Sequence, residues 1–244
     1  MNVLKVLFVS VFTLLLPESA FSQAKSVEVM YTRAYKNFRD TSDVAPRLLE
    51  EHKYLLSCSP AASRFEKISP VITDDGNVRR YEVKVFYGNL QRDSDYAIHY
   101  RNTEKKTKLY QAKFMDSIFL VKEDYNQYKW EIKNEKKEIL GFECYKAVGS
   151  YQEYSHIFKR LVTESTTVWY APGIPLPFGP SGYDGLPGLV LEAYKASFYF
   201  IATEITFCPE EAIVSPPDKG KSVNRKEFNE AISRMYKNYT NRKN

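Results

Sequence analysis

Residues 179–192 read GPSGYDGLPGLVLE and combine turn residues with apolar side chains. Residues 171–188 hold five of the ten glycines and five of the twelve prolines, a density typical of linkers. Proline fixes φ, glycine permits positive φ, and a residue before proline is pushed towards extended geometry. Since this restricted segment also carries Ile174, Leu176 and Phe178, we predict an ordered loop that packs on a core and leads into a strand.

The first 22 residues have the three parts of a secretory signal peptide. Lys5 supplies the positive start, residues 6–16 are apolar, and Ala20-Phe21-Ser22 has the form of a cleavage site. The apolar run is shorter than the roughly twenty residues that a membrane span needs. We therefore expect residues 1–22 to be removed on export, and the remainder to have no transmembrane anchor.

The charged residues do not point to a nucleic-acid partner. The net charge is +5, but lysines and glutamates alternate, as in Glu135-Lys136-Lys137-Glu138. Alternating charge is typical of a solvated face, and the chain has no long basic run and no RNA- or DNA-binding motif. We expect no binding of nucleic acid.

The three cysteines, Cys58, Cys144 and Cys208, allow at most one disulfide. An oxidising compartment would favour it. We predict Cys144 with Cys208, because both fall on predicted strands near the centre of the sheet. The alternative is three buried thiols.

Period-two runs of aromatic and branched side chains predict the fold class. Val27, Val29 and Tyr31 alternate with polar residues, as expected of strands with one buried face. Further strands are predicted at 47–57, 81–87, 97–102, 108–114, 117–123, 128–132, 138–149, 164–171, 188–195 and 197–208. We expect a mainly β protein with an antiparallel, strongly curved sheet, either a half-barrel or a sandwich.

One helix is predicted near the C-terminus. Asn224 and Glu227 form a capping box, and the apolar residues that follow share one face, namely Phe228, Ile232, Met235 and Tyr239. The predicted organisation is a signal peptide at 1–22, a β domain at 23–210, a linker at 211–223 and a helix at 224–240.

The motifs of common active sites do not match this sequence. His52, His99 and His156 lack the spacing of metal ligands. Ser181 lacks the Gly-x-Ser-x-Gly context of a serine hydrolase. Cys144 lies beside an acid, where a nucleophilic thiolate would be disfavoured. We therefore assign no catalytic residue, no metal ligand and no cofactor.

The octet Gly185–Glu192 resembles the signature of the GLPGLI family, exported proteins of Bacteroidota also known as the Porph_ging family. Trp130-Glu131-Ile132, Cys144 and Trp169-Tyr170 resemble further positions of that family. Val190 stands where the name motif has isoleucine. The resemblance implies a β-rich fold and the periplasm or surface of a diderm bacterium. It carries over no activity and no catalytic residues.

Three functional hypotheses follow. The first is a non-catalytic binding or carrier module for an apolar, lipid-like small molecule or for an envelope protein partner. Its predicted contact residues surround the loop: Trp169, Tyr183, Leu186, Pro187, Leu189 and Glu192. The second is a structural subunit of an envelope assembly. The third is an enzyme of unrecognised type that uses Asp184, Glu192 and a histidine.

Overall fold

The computed structural model describes residues 24–35, 47–72, 78–82, 97–155, 160–195 and 198–241. The predicted signal peptide at 1–22 and part of the predicted strand at 81–87 lie outside these residues. Within them are thirteen strands and one α-helix: β1 (Ser26–Tyr35), β2 (Arg47–Cys58), β3 (Ala62–Ile72), β4 (Val78–Glu82), β5 (Ile98–Asn102), β6 (Thr107–Phe114), β7 (Ser117–Lys122), β8 (Lys129–Ile139), β9 (Phe142–Ser155), β10 (Arg160–Ala171), β11 (Leu189–Lys195), β12 (Phe198–Cys208), β13 (Lys221–Asn224) and α1 (Arg225–Asn241).

The strands form one largely antiparallel sheet. Twelve of them follow the order β13-β7-β6-β5-β3-β2-β1-β12-β11-β10-β9-β8, and β4 pairs with β3 beside this path. Among the described pairs, β13 with β7 is the parallel one. The predicted mainly β, antiparallel class is therefore confirmed, while the strong curvature stays a prediction.

Inner and edge strands differ as their sequences indicate. In β1, Val27, Val29 and Tyr31 are buried, whereas Glu28 and Met30 are partly exposed. This is the period-two pattern of a strand with one face on a core. β8 lies at the edge of the sheet and is mostly exposed and charged. Charged edges of this kind oppose pairing with another chain.

The glycine- and proline-rich loop, residues 172–188, completes two buried clusters. Ile174, Leu176 and Phe178 pack with side chains of β1, β2, β3 and β12. Tyr183 and Leu186 pack in a second cluster with side chains of β9, β10 and β11. The loop thus supplies core to two groups of strands, and the predicted packed loop is confirmed.

Backbone contacts hold this loop closed. The amide of Leu189 donates to Ile174 O at 2.9 Å, and the amide of Val190 donates to Phe178 O at 2.9 Å. A Cβ placed on Gly188 would lie 2.4 Å from Ala171 O. Since real Cβ atoms do not approach a carbonyl oxygen so closely, glycine is required where the loop enters β11.

The C-terminal helix begins with the predicted capping box. The Asn224 amide donates to the Glu227 carboxylate at 2.8 Å, and the Glu227 amide donates to Asn224 Oδ1 at 2.9 Å. Phe228 then packs edge-on against Phe119 of β7 and Tyr110 of β6. The segment that we predicted as a linker, 211–223, ends inside β13, because its last residues find parallel partners on β7. No helix in the described part of the chain is long and apolar enough to span a membrane.

All three cysteines are free in this structure, so the predicted bond between Cys144 and Cys208 is not formed. Cys144 is buried in the first core cluster together with Cys58. Cys208 ends β12, opposite Ser26, and is partly exposed. Burial raises the pKa of the Cys144 thiol to about 12. Cys58 and Cys144 therefore match the alternative prediction of buried thiols, whereas Cys208 is only partly buried.

Candidate functional site

A polar cleft of about 450 Å³ lies where the turn after β7 meets β8, β9, β10 and the start of α1. Its volume is within the range of roughly 300–1,000 Å³ that is typical of small-molecule sites. Four lining residues are charged: Glu123, Asp124, Lys129 and Arg225. Five are uncharged and polar: Gln127, Ser150, Tyr151, Gln152 and Thr163.

One wall of the cleft is the turn at residues 123–128, and it is fixed at several points. The Glu123 amide donates to Lys108 O at 3.0 Å. Arg101 Nη1 donates to Tyr125 O at 2.8 Å, and the guanidinium lies 3.8 Å from the centre of the Tyr125 ring. The turn is therefore held against β5 and β6 by both polar and cation–π contacts.

Behind this wall, Asp184 of the loop forms ion pairs with two cations of the sheet. Arg101 Nη1 lies 2.5 Å from Asp184 Oδ1, and Lys108 Nζ lies 3.2 Å from Asp184 Oδ2. The three side chains are only 2–7% exposed. Burial raises the pKa of the Asp184 carboxyl and lowers the pKa of the Lys108 ammonium, and in both groups the opposite charge counteracts the shift.

The same lysine joins the loop to the cleft. Lys108 Nζ donates to Gly182 O at 2.9 Å and to Gln127 Oε1 at 3.4 Å. Because an ammonium group only donates, this bond assigns the oxygen of the Gln127 amide to Lys108.

The first residues of β8 also contact the loop. Trp130 Nε1 donates to Asp184 O at 2.9 Å. The Tyr128 ring contacts the rings of Trp130, Tyr151 and Tyr183, with centres 5.0, 5.3 and 5.6 Å away. These contacts connect Tyr183 in the loop core with Tyr151 in the cleft.

The first residue of α1 closes the other side of the cleft. Arg225 forms an ion pair with Glu123. Its guanidinium also lies 5.2 Å from the centre of the Tyr110 ring. Burial lowers the pKa of Arg225. This ion pair attaches the helix to the turn at residues 123–128.

The contact residues predicted around the loop lie apart from the cleft. Tyr183, Leu186 and Leu189 are at most 3% exposed and belong to the buried clusters. Pro187 is exposed, and Trp169 is partly buried. None of these five lines the cleft.

Glu192, the sixth predicted contact residue, is buried and bonded. Lys137 Nζ donates to its carboxylate at 2.5 Å, and the Tyr194 hydroxyl donates to it as well. Lys137 Nζ also lies 4.5 Å from the centre of the Trp169 ring. A β-bulge between Trp169 and Tyr170 places Glu192 opposite Trp169 and breaks the simple alternation along β11. The structure thus brings Trp169 and Glu192 together.

Sequence reasoning missed the cleft because its residues come from four separate parts of the chain, 123–129, 150–152, 163 and 225. One feature of the sequence could have indicated this cleft. The polar turn between β7 and β8, Asp124-Tyr125-Asn126-Gln127, falls between two predicted strands.

Comparison with protein families supports the resemblance to the signature octet. The model of the family described as "Protein of unknown function (Porph_ging)" matches residues 156–192. The chain matches the Porph_ging family over this segment. The match ends at Glu192 and contains the whole loop with Asp184. Comparison with curated proteins finds no match.

Among solved structures, the chain is similar to PNGF-II in two crystal forms. The TM-scores are 0.54 and 0.51, and the sequences are 14% identical. The aligned part covers 86% of this chain and 33% of the PNGF-II chain, so this chain spans about a third of that protein's length. At this identity the similarity concerns the fold alone.

Lipoprotein LppX of Mycobacterium tuberculosis is a weaker match. It is 11% identical, with a TM-score of 0.26 over 76% of this chain and 88% of the LppX chain. A score this low carries no argument about function.

Proposed function

We propose that the chain is an exported, non-catalytic binding module of the bacterial cell envelope and that the polar cleft is its binding site. The observation that carries the proposal is the support of the cleft by a buried ion cluster. Asp184, Arg101 and Lys108 fix the turn at residues 123–128 from behind. A wall held in this way loses little freedom when a ligand binds, and preorganisation of this kind favours affinity.

The sequence supports the compartment. Residues 1–22 have the features of a signal peptide, and the family that the chain resembles consists of exported proteins. We place the mature protein in the periplasm or on the surface of a diderm bacterium.

Packing favours the cleft over an apolar pocket beside the loop. An apolar ligand that contacted Tyr183, Leu186 and Leu189 would have to displace side chains that are already buried. Removing packed side chains from a core is unfavourable by several kcal/mol. The cleft needs no such displacement.

A pair of matched tryptophan variants tests the proposal. Thr163 lines the cleft on β10, and Thr206 is another exposed threonine, on β12 and outside the cleft. The purified exported chain is screened by thermal shift against sugars, peptides, nucleosides, organic acids and fatty acids. We expect a compound that stabilises the wild type and Thr206→Trp but not Thr163→Trp. If every stabilising compound acts equally on both variants, or none stabilises the wild type, the cleft is not the binding site.

A further inference from the structure

We propose that the cleft binds a neutral, hydroxyl-rich ligand of the oligosaccharide class. This inference rests on the binding role proposed above and specifies the chemistry of the ligand.

The charges of the cleft cancel. Glu123 is paired with Arg225, so these two groups neutralise each other. Asp124 and Lys129 are the other charged lining residues, and their charges are opposite. Sites for phosphate or carboxylate ligands normally present an excess of arginine or lysine. The balanced lining therefore gives no preference for an ionic ligand.

The cations behind the wall do not change this balance. Lys108 is 2% exposed, and its ammonium group already donates to Gly182 O, Asp184 and Gln127. Arg101 is 6% exposed and is bonded to Asp184 and Tyr125 O. Both cations are buried and already bonded to groups that support the wall. They are therefore not available to a ligand.

The uncharged lining suits hydroxyl groups. Gln127 and Gln152 carry amides, and Ser150 and Thr163 carry hydroxyls, so the cleft presents both donors and acceptors. The Gln127 oxygen accepts from Lys108, so the amide nitrogen of Gln127 remains as its donor group. A ligand hydroxyl both donates and accepts, and it can therefore satisfy such a mixed surface at many positions.

An aromatic side chain adds apolar surface to this polar lining. The Tyr151 ring forms part of the cleft, and it packs edge-on against Tyr128 with an interplanar angle of 83°. Tyrosine offers an apolar body with a polar tip, as does a sugar ring with its C–H faces and hydroxyl rim. The combination matches an uncharged sugar better than a purely polar or purely apolar molecule.

Calorimetry with defined probes tests the ligand class. The neutral probes are the hexasaccharides of maltose, cellulose, xylan, mannan and chitin type. The charged probes are hexagalacturonate and the chitosan hexamer, and a Gly-Ser hexapeptide serves as a neutral peptide. We expect at least one neutral hexasaccharide to bind saturably, with affinity at least about tenfold lower for Thr163→Trp, a loss of about 1.4 kcal/mol, and unchanged for Thr206→Trp.

The charge of the ligand is tested separately. Gln152→Glu places a carboxylate in the cleft without changing the size of the side chain. Binding of a neutral sugar should change less than about threefold between low salt and 0.5 M salt in the wild type, because screening acts only on charges. Gln152→Glu should shift the affinity for a charged probe much more than the affinity for a neutral one.

The outcomes separate the two proposals. If only a charged probe or the peptide binds, and Thr163→Trp blocks it, the ligand class is wrong and the binding role stands. If a neutral hexasaccharide binds Thr163→Trp as well as the wild type, the proposed site is wrong. If no probe binds in a manner that Thr163→Trp blocks, the sugar proposal fails. The broader library screen with the same variant then decides the binding role.

Discussion

The loop at residues 172–188 and the cleft differ in composition, burial and origin. The loop is continuous, rich in glycine and proline, and mostly buried. The cleft is polar and is assembled from four separate parts of the chain. Asp184 joins them, since its carboxylate belongs to the loop and its partners Arg101 and Lys108 hold the wall of the cleft. The most distinctive residues of the sequence therefore build the scaffold, whereas ordinary polar residues line the cleft.

The largest effect is expected at the junction between the two regions. Asp184→Asn keeps the shape of the side chain but leaves Arg101 and Lys108 without their carboxylate. Removing one partner of a buried ion pair typically destabilises a protein by about 3–5 kcal/mol. Urea denaturation measures this change. Asp116→Asn, at an exposed position between β6 and β7, is the control and should be nearly neutral. Equal stability of both variants would refute the supporting role of Asp184.

Within the loop, Leu186→Ala should destabilise the protein by about 2–5 kcal/mol, because it removes a side chain that is 2% exposed. Leu161 on β10 is 62% exposed and provides the matched control. Leu161→Ala should change the free energy of unfolding by less than about 0.5 kcal/mol. A loop that merely covered the surface would give similar values for the two leucines.

The buried tyrosine of the loop predicts a loss of stability in alkali. Burial raises the pKa of Tyr183 above its ordinary value near 10. Above that pH the unfolded state releases the proton while the folded state keeps it, so the folded state binds more protons. Stability therefore falls as pH rises, by at most about 1.4 kcal/mol per pH unit for this group. Tyr183→Phe should unfold with a shallower pH dependence above about pH 10. An unchanged slope in this variant would mean that Tyr183 is accessible.

The smallest effect is expected in the cleft itself. Gln152 is exposed and lines the cleft. Gln152→Ala should change stability by less than about 0.5 kcal/mol, as for most surface substitutions. Urea denaturation of this variant beside Leu186→Ala measures the contrast between the two regions directly. A loss as large as that of Leu186→Ala would show that the cleft residues also maintain the fold.

Much of the fold could be predicted because its signals are local. The alternation of Val27, Val29 and Tyr31 lies within one strand, and the capping box of α1 lies within four residues. The strand β3 was not predicted. Its buried residues do not alternate, and Arg64 pairs with Glu66 two residues away along the same strand. β13 was not predicted either, because its partner β7 lies about a hundred residues earlier in the sequence.

The candidate site could not be predicted from local signals. An aspartate among glycines has the appearance of a turn residue, and Asp184 is buried because its two partners come from 83 and 76 residues away. A strand at 188–195 was predicted, but its sequence does not show the β-bulge between Trp169 and Tyr170 that places Glu192 opposite Trp169. The burial of Asp184 and the position of Glu192 therefore both depend on contacts between distant parts of the chain.

A map of amide chemical shifts in the purified chain, with and without the neutral hexasaccharides, tests the proposed binding site. We expect the perturbed amides to cluster at 123–128, 150–152 and 163, where the cleft lies. We also expect Asp184→Asn to weaken these perturbations while the rest of the folded spectrum persists. Perturbations confined to Trp169, Pro187 and Glu192 would instead place the binding site at the loop and rule out the cleft.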